Sequence, residues 1–349
     1  MNYSSRPLLH RSSLQPSESL PSFLIRLAQE NYYHSPTMVM QLCRERLPWR
    51  DQVTRPARAE TYCVLAELTK VEIDELYMAC AQRFAAVFTF PGYKQRSVLF
   101  PSGKTMSVST NSVLREQTRP QSDVQFCPLC LNEAAYHRID WLPLVVTVCL
   151  RHQCLLIHGC PNCHRKISVR DVLEARCPSC GFELTQAPII SLATDQFGLL
   201  SQSLIQSWLG LCSPTSLNDY GALPDESPAT LYRFLDGLRR TVMNIQRHWN
   251  YLHDSSSGVG SPLFPCTSKS DVIPAKAYIL YATAFKAMVN WPNGFYDFLQ
   301  AYKQRDSQLP SSHIRRDLGR LYSYWLARAW KYPEFRFVQE AFDHYMASG

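Results

Sequence analysis

Four short cysteine and histidine steps carry the chemistry of this chain: Cys127-x-x-Cys130, Cys149-x-x-His152, Cys160-x-x-Cys163 and Cys177-x-x-Cys180. A CxxC turn sets two thiolates close enough to share one metal ion. A second pair follows the first after 18 intervening residues and the third after 13, so each closes a small ribbon around an ion. The eight residues make up two tetrahedral Zn2+ sets, one of three cysteines and a histidine, the other of four cysteines. Sequential ribbons and an interleaved cross-brace use the same eight ligands, and Cys154, His158 and His164 lie near enough to substitute. Both sets are complete. No His-x-Glu or His-Glu-x-x-His step stands beside them to activate a metal-bound water, so both zincs read as structural.

Phosphate-binding loops, dinucleotide fingerprints and the Gly-x-Ser-x-Gly elbow are all missing from the sequence, so nothing in it argues for an enzyme. The chain opens on Met1-Asn2-Tyr3-Ser4-Ser5-Arg6 without an apolar leader, and no apolar run approaches the ~20 residues of a membrane span. The expectation is a soluble, cytoplasmic bacterial protein with reduced thiols. The other cysteines, Cys43, Cys63, Cys80, Cys154, Cys212 and Cys266, read as small apolar fillers.

The net charge of +7 is spread thinly: +4 over residues 1–125, +1 over 126–185 and +2 over 186–349. A protein that holds duplex DNA unaided concentrates its cations on one face, because phosphate neutralisation supplies most of that affinity. Two loose groups come nearest, Arg44, Arg46, Arg50, Arg55 and Arg58, and Arg315, Arg316, Arg320 and Arg328. Each reads first as a solvated helix face, and either could touch a DNA or RNA backbone.

The elements around the ligands are mainly helical, and 46% hydrophobic content over 349 residues is ample for more than one core. Leu20, Phe23, Leu24, Leu27 and Ala28 form one apolar helical stripe. Tyr62, Leu65, Ala66 and Leu68 mark a second helix. Thr69-Lys70-Val71-Glu72 then reads as a capping box opening a third, with Ile73, Leu76, Tyr77 and Cys80 on its buried side. Two helices across so tight a turn suggest a helix-turn-helix, although Glu72, Asp74 and Glu75 in the first turn of the second helix oppose close approach to DNA. Residues 88–125 read as irregular chain or short strands. Further helices are expected near 195–211, 229–252, 275–290, 292–304, 312–330 and 334–347, with a linker over His253–Pro274. Three domains follow: a helix-turn-helix-like N-terminal domain (1–125), a tandem zinc-ribbon module (126–188) and a helical C-terminal domain (189–349). The aromatic C-terminal helices could bury a homodimer interface as readily as a monomer core.

Cys127-Pro128-Leu129-Cys130-Leu131, Tyr136-His137-Arg138, Trp141, Val148-Cys149-Leu150-Arg151-His152, Leu155-Leu156, Cys160-Pro161-Asn162-Cys163 and Cys177-Pro178-Ser179-Cys180-Gly181 together resemble the zinc core of the TniQ/TnsD family of transposition target-selection proteins. Glu18 to Leu27 is similar to that family's opening helix, and Trp291-Pro292-Asn293-Gly294-Phe295 and Asp317-Leu318-Gly319-Arg320-Leu321-Tyr322 to its helical tail. Lys70 stands where a helix-turn-helix turn commonly has Gly. The length suits the TniQ type of RNA-guided transposons. The resemblance implies a non-catalytic adaptor between a guide-RNA CRISPR effector of the Cascade type and the TnsC AAA+ ATPase, which brings the transposase. The alternative it implies is a TnsD-like protein that itself reads an attachment sequence.

Overall fold

The computed structural model describes residues 8–35, 37–47, 53–89, 95–99, 103–109, 117–213, 221–246, 274–306 and 331–348. The chain is mainly helical and divides into two compact units, Met1–Ser191 and Leu192–Gly349. None of the described helices is long and apolar enough to cross a membrane.

In the first unit, α1 (Leu20–Glu30) begins where Ser19 caps it by accepting the Ser22 N–H, and Pro21 sits in the first turn, where a missing N–H costs nothing. Its stripe of Leu20, Phe23, Leu24, Leu27 and Ala28 is buried. Each large apolar side chain removed from water there contributes about 1.5–3 kcal/mol, which offsets the poor intrinsic stability of helices this short. The same core takes Val39 and Cys43 from α2 (Thr37–Arg44), Tyr62, Leu65 and Leu68 from α3 (Ala59–Thr69), and Leu76 from α4 (Ile73–Met78).

The turn between α3 and α4 differs from the expected capping box. Thr69 is the last residue of α3, and its hydroxyl donates back to the Leu65 carbonyl. A residue still in helical conformation cannot serve as an N-cap, so Glu72 takes that position without a side-chain cap bond. Lys70 makes the turn in the left-handed region, at φ 60°. Asp74 pairs with Lys104, and Tyr77 donates to the Ser107 carbonyl, so α4 is tied to the hairpin β1 (Gln95–Leu99) and β2 (Thr105–Ser109). Arg55 also departs from expectation. It is buried and donates to the Arg119 carbonyl, so it is no part of a solvated cationic face.

Further along the first unit come α5 (Ala85–Phe88), β3 (Gln125–Phe126), α6 (Pro128–Glu133) and α7 (Val169–Leu173), and the second unit is built on α8 (Gln196–Trp208), α9 (Pro228–Gln246), α10 (Pro274–Lys286), α11 (Asn293–Asp306) and α12 (Arg336–Ser348). Asp195 caps α8 through the Gly198 N–H and also accepts the Tyr278 hydroxyl, at 2.5 Å. A Cβ at Gly198 would lie 1.7 Å from the Tyr278 oxygen, so only glycine permits this approach of α10. The carboxylate of Asp236 is fully buried and accepts from Arg239, Arg240 and Tyr281. Phe295, Phe298, Phe335 and Phe342 are core residues, as helical spacing suggests. The helix expected over 312–330, its four arginines, Arg50 and Cys266 lie outside the described residues, as does the expected linker except for Pro274.

Candidate metal centres

The first set of donors is assembled from one short helix and one short hairpin. Pro128 starts α6 (Pro128–Glu133), so Cys127 occupies its N-cap position and Cys130 its first turn. β4 (Val148–Cys149) and β5 (Cys154–Leu155) pair antiparallel with Cys149 opposite Cys154, and the loop between them carries His152. Gln153 closes that loop in the left-handed region, at φ 47°. The loop swings the imidazole back over the thiols. His152 Nδ1 lies 3.5 Å from Cys127 Sγ, 3.3 Å from Cys130 Sγ and 3.5 Å from Cys149 Sγ, and Cys130 and Cys149 are 3.6 Å apart. Zinc bonds of about 2.3 Å to sulfur and 2.0–2.1 Å to nitrogen put tetrahedral ligands about 3.5–3.8 Å apart. These separations therefore match those of a four-coordinate zinc, and all four donor atoms lie within 4.8 Å of one another.

Electrostatics support that fit. His152 turns its other nitrogen, Nε2, to Glu133 Oε1 at 3.2 Å, and the second carboxylate oxygen of Glu133 holds Arg151 at 2.7 Å. Donating Nε2–H to the carboxylate leaves the Nδ1 lone pair facing the sulfurs, the tautomer a metal requires. Among the thiols, Cys149 is held well below its ordinary pKa by hydrogen bonds from Cys127, then Cys130 and Cys154. Cys130 is pushed up, first by its hydrogen bonds with Cys127 and Cys149.

The second set uses the same turn twice. In one copy His164 N–H bonds to the Cys160 carbonyl and Cys160 N–H to the Arg165 carbonyl; in the other Gly181 N–H bonds to the Cys177 carbonyl and Cys177 N–H to the Phe182 carbonyl. The residue after each CxxC adopts positive φ, 58° at His164 and 72° at Gly181, which folds the chain back beneath the sulfurs. Cys160 and Cys180 are 3.6 Å apart, as are Cys163 and Cys177. Cys160 is pushed up to about 11 by burial, whereas Cys180 falls to about 6, first through the Phe182 backbone and then the Asn162 side chain.

The eight donors thus gather sequentially, Cys127, Cys130, Cys149 and His152 in one cluster and Cys160, Cys163, Cys177 and Cys180 in the other, and each cluster could hold a metal ion. His164 is exposed in its turn, and His158 faces Asp123 at 2.5 Å, beside Lys166. Cys154, in contrast, lies 3.7 Å from Cys127 Sγ and is part of the first cluster's surroundings. Sequence reasoning missed Glu133, whose only signal is its place one helical turn beyond Cys130, on the same side of α6.

The first cluster is continuous with α1. Directly beyond α6, Tyr136 donates to the Pro16 carbonyl at 2.8 Å, His137 O accepts Ser19 N–H at 2.9 Å, and Ile139 N–H reaches Ser17 O at 2.7 Å. His137 is fully buried, with Nδ1 at 2.9 Å from the Ser19 hydroxyl. Burial pushes its imidazole down to about 3, so it packs neutral, edge-on to Trp141. Arg26 braces the same turn through Glu18, whose carboxylate is fully buried.

Residues 9–156 match the TniQ family model. The match runs from just before α1 through the entire first cluster and ends before Cys160. It supports the TniQ family for this chain, and a TniQ domain implies a role in target selection during transposition, a process in which the family works with partner proteins such as TnsC. No curated protein matches the chain.

Proposed function

We propose that this protein is a non-catalytic adaptor of DNA transposition that docks on a guide-RNA CRISPR effector of the Cascade type and recruits a TnsC-type AAA+ ATPase. The observation that carries the reading is the TniQ match over residues 9–156, joined to the family-like tail motif at Trp291 to Phe295. Two further features support it. Cationic charge is dispersed, and one of the N-terminal arginines, Arg55, is buried, as suits a protein that leaves sequence recognition to guide–target base pairing. Each cysteine cluster offers four protein donors to an ion that takes four, which leaves no position for substrate. In this role two zinc ions keep the ribbon surfaces rigid and the chemistry belongs to the transposase.

The test is co-purification with the guide-loaded effector and, separately, with the ATPase. Retention of both is the expected result. Binding to the ATPase alone, together with tight binding of one duplex sequence at about 0.15 M salt, would replace the adaptor with a direct reader of an attachment site.

A further inference from the structure

Among the described residues, Cys154 is the one cysteine outside the two donor sets whose sulfur touches a donor. It is fully buried, and its Sγ stands 3.7 Å from Cys127 Sγ, the same separation as between two ligands of one zinc ion. Its register explains the placement. Residues directly opposite in an antiparallel pair project to the same face, and Cys154 is opposite the ligand Cys149. Its backbone is fixed on both sides, by β4 and by a bridge to Ser191, with Leu155 N–H bonded to the Ile190 carbonyl. Cys154 therefore stands directly beside the four-donor set of the first cluster, against its Cys127 edge, without belonging to the set. Cys154 is as deeply buried as Cys127, while His152 rides on a loop, its side chain 16% exposed and its outer nitrogen against Glu133, itself 37% exposed.

We propose that Cys154 is a reserve ligand of the first metal centre, able to replace His152 and convert a three-cysteine, one-histidine set into a four-cysteine set. In the exchange the metal–Nδ1 bond breaks, the metal–Sγ bond to Cys154 forms, and the Cys154 S–H proton passes to the freed imidazole, so charge and atoms balance. In the resting arrangement the same S–H donates to the Cys127 thiolate. The consequence is that the exposed loop of residues 150–153, with Arg151 and His152, can leave the cluster to meet a partner while the ion stays in the core. The proposal rests on the first cluster holding zinc, and the wild-type metal content tests that premise separately.

The experiment compares metal content by elemental analysis, and the charge-transfer spectrum of the cobalt(II)-loaded protein, in wild type, His152→Ala, Cys154→Ala and the double variant. Wild type and Cys154→Ala are expected to hold two ions per chain. His152→Ala also keeps two, with thiolate charge-transfer intensity raised from three sulfurs toward four at the first centre, and the double variant falls to one. His152→Ala falling to one ion, or keeping two with no gain in thiolate intensity, overturns the proposal. Should His152→Ala fail to fold, release of the first ion to a chelator decides: Cys154→Ala is expected to release it at least about tenfold faster than wild type, in the range of outer-shell effects on metal sites, and an unchanged rate overturns the assignment.

Discussion

The two cysteine clusters use nearly the same donors within 54 residues of sequence, yet they are embedded differently. In the first, Cys127, Cys130 and Cys149 are buried, a carboxylate stands behind the histidine, and the chain leaving α6 hydrogen-bonds directly to the N-terminus of α1. In the second, Cys163 and Cys180 are exposed, and the ion pair flanking it in sequence, Arg176 with Glu183, lies on the surface. A metal ion at the first position would organise a core shared with the N-terminal helices, whereas at the second it would clip two turns together at the surface. Similar donor sets therefore do not mean equal structural weight.

Stripping both ions should break the comparison most severely. Zinc supplies about 10–16 kcal/mol to the folding of small ribbons, more than the net stability of most domains, so chelation is expected to unfold the first unit. The helices of the second unit, held by aromatic packing and the buried Asp236 cluster, should survive. Circular dichroism retaining part of the helical signal, with loss of protection from proteolysis confined to Met1–Ser191, would verify this. Since every thiol gives up its proton to ligate, metal affinity should also fall as pH falls. Elemental analysis giving fewer than two zinc ions per chain would remove the basis of the comparison.

Single ligand replacements sharpen it. Cys130→Ser is expected to unfold the first unit, α1 included, because Tyr136, His137 and Ile139 lose the geometry that caps the helix. Cys180→Ser should lose only the second ion and leave the first unit's melting transition within a few degrees of wild type. Equal damage from the two would refute the difference in weight.

Outer residues give a smaller contrast. Glu133→Gln is expected to weaken zinc retention at the first centre about 10–100-fold in a chelator competition, as carboxylates behind ligating histidines do. The matching change beside the second cluster, Glu183→Gln, removes only an exposed ion pair and should alter stability by about 1 kcal/mol or less. Smallest of all, Lys70→Gly relieves a left-handed residue at the end of α3 and should raise the thermal midpoint slightly, by roughly 1 kcal/mol of stability.

The candidate donors, the stripe of α1, the approximate extents of α8 to α11 over the described residues and the short strands expected between 88 and 125 were legible from the chain, because CxxC spacing and helical periodicity are local properties. The turn after α3 was misread from the same local evidence: Thr69 and Glu72 fit a capping box in type and spacing, but a hydrogen bond back to Leu65 kept Thr69 inside the preceding helix. Composition likewise placed Arg55 among surface cations, and only its contact with Arg119, 64 residues away, shows it buried.

By itself, then, the sequence determined which atoms can hold metal and which helices have an apolar face, since both depend on residues within a few positions of each other. Tertiary structure alone decided that the pairs join sequentially, that Glu133 stands behind His152, that Cys154 faces Cys127 and that α1 is capped by the segment after α6. These rest on contacts between residues distant in the chain, made only once several short and individually unstable elements have assembled, and no local pattern encodes which partner each will meet.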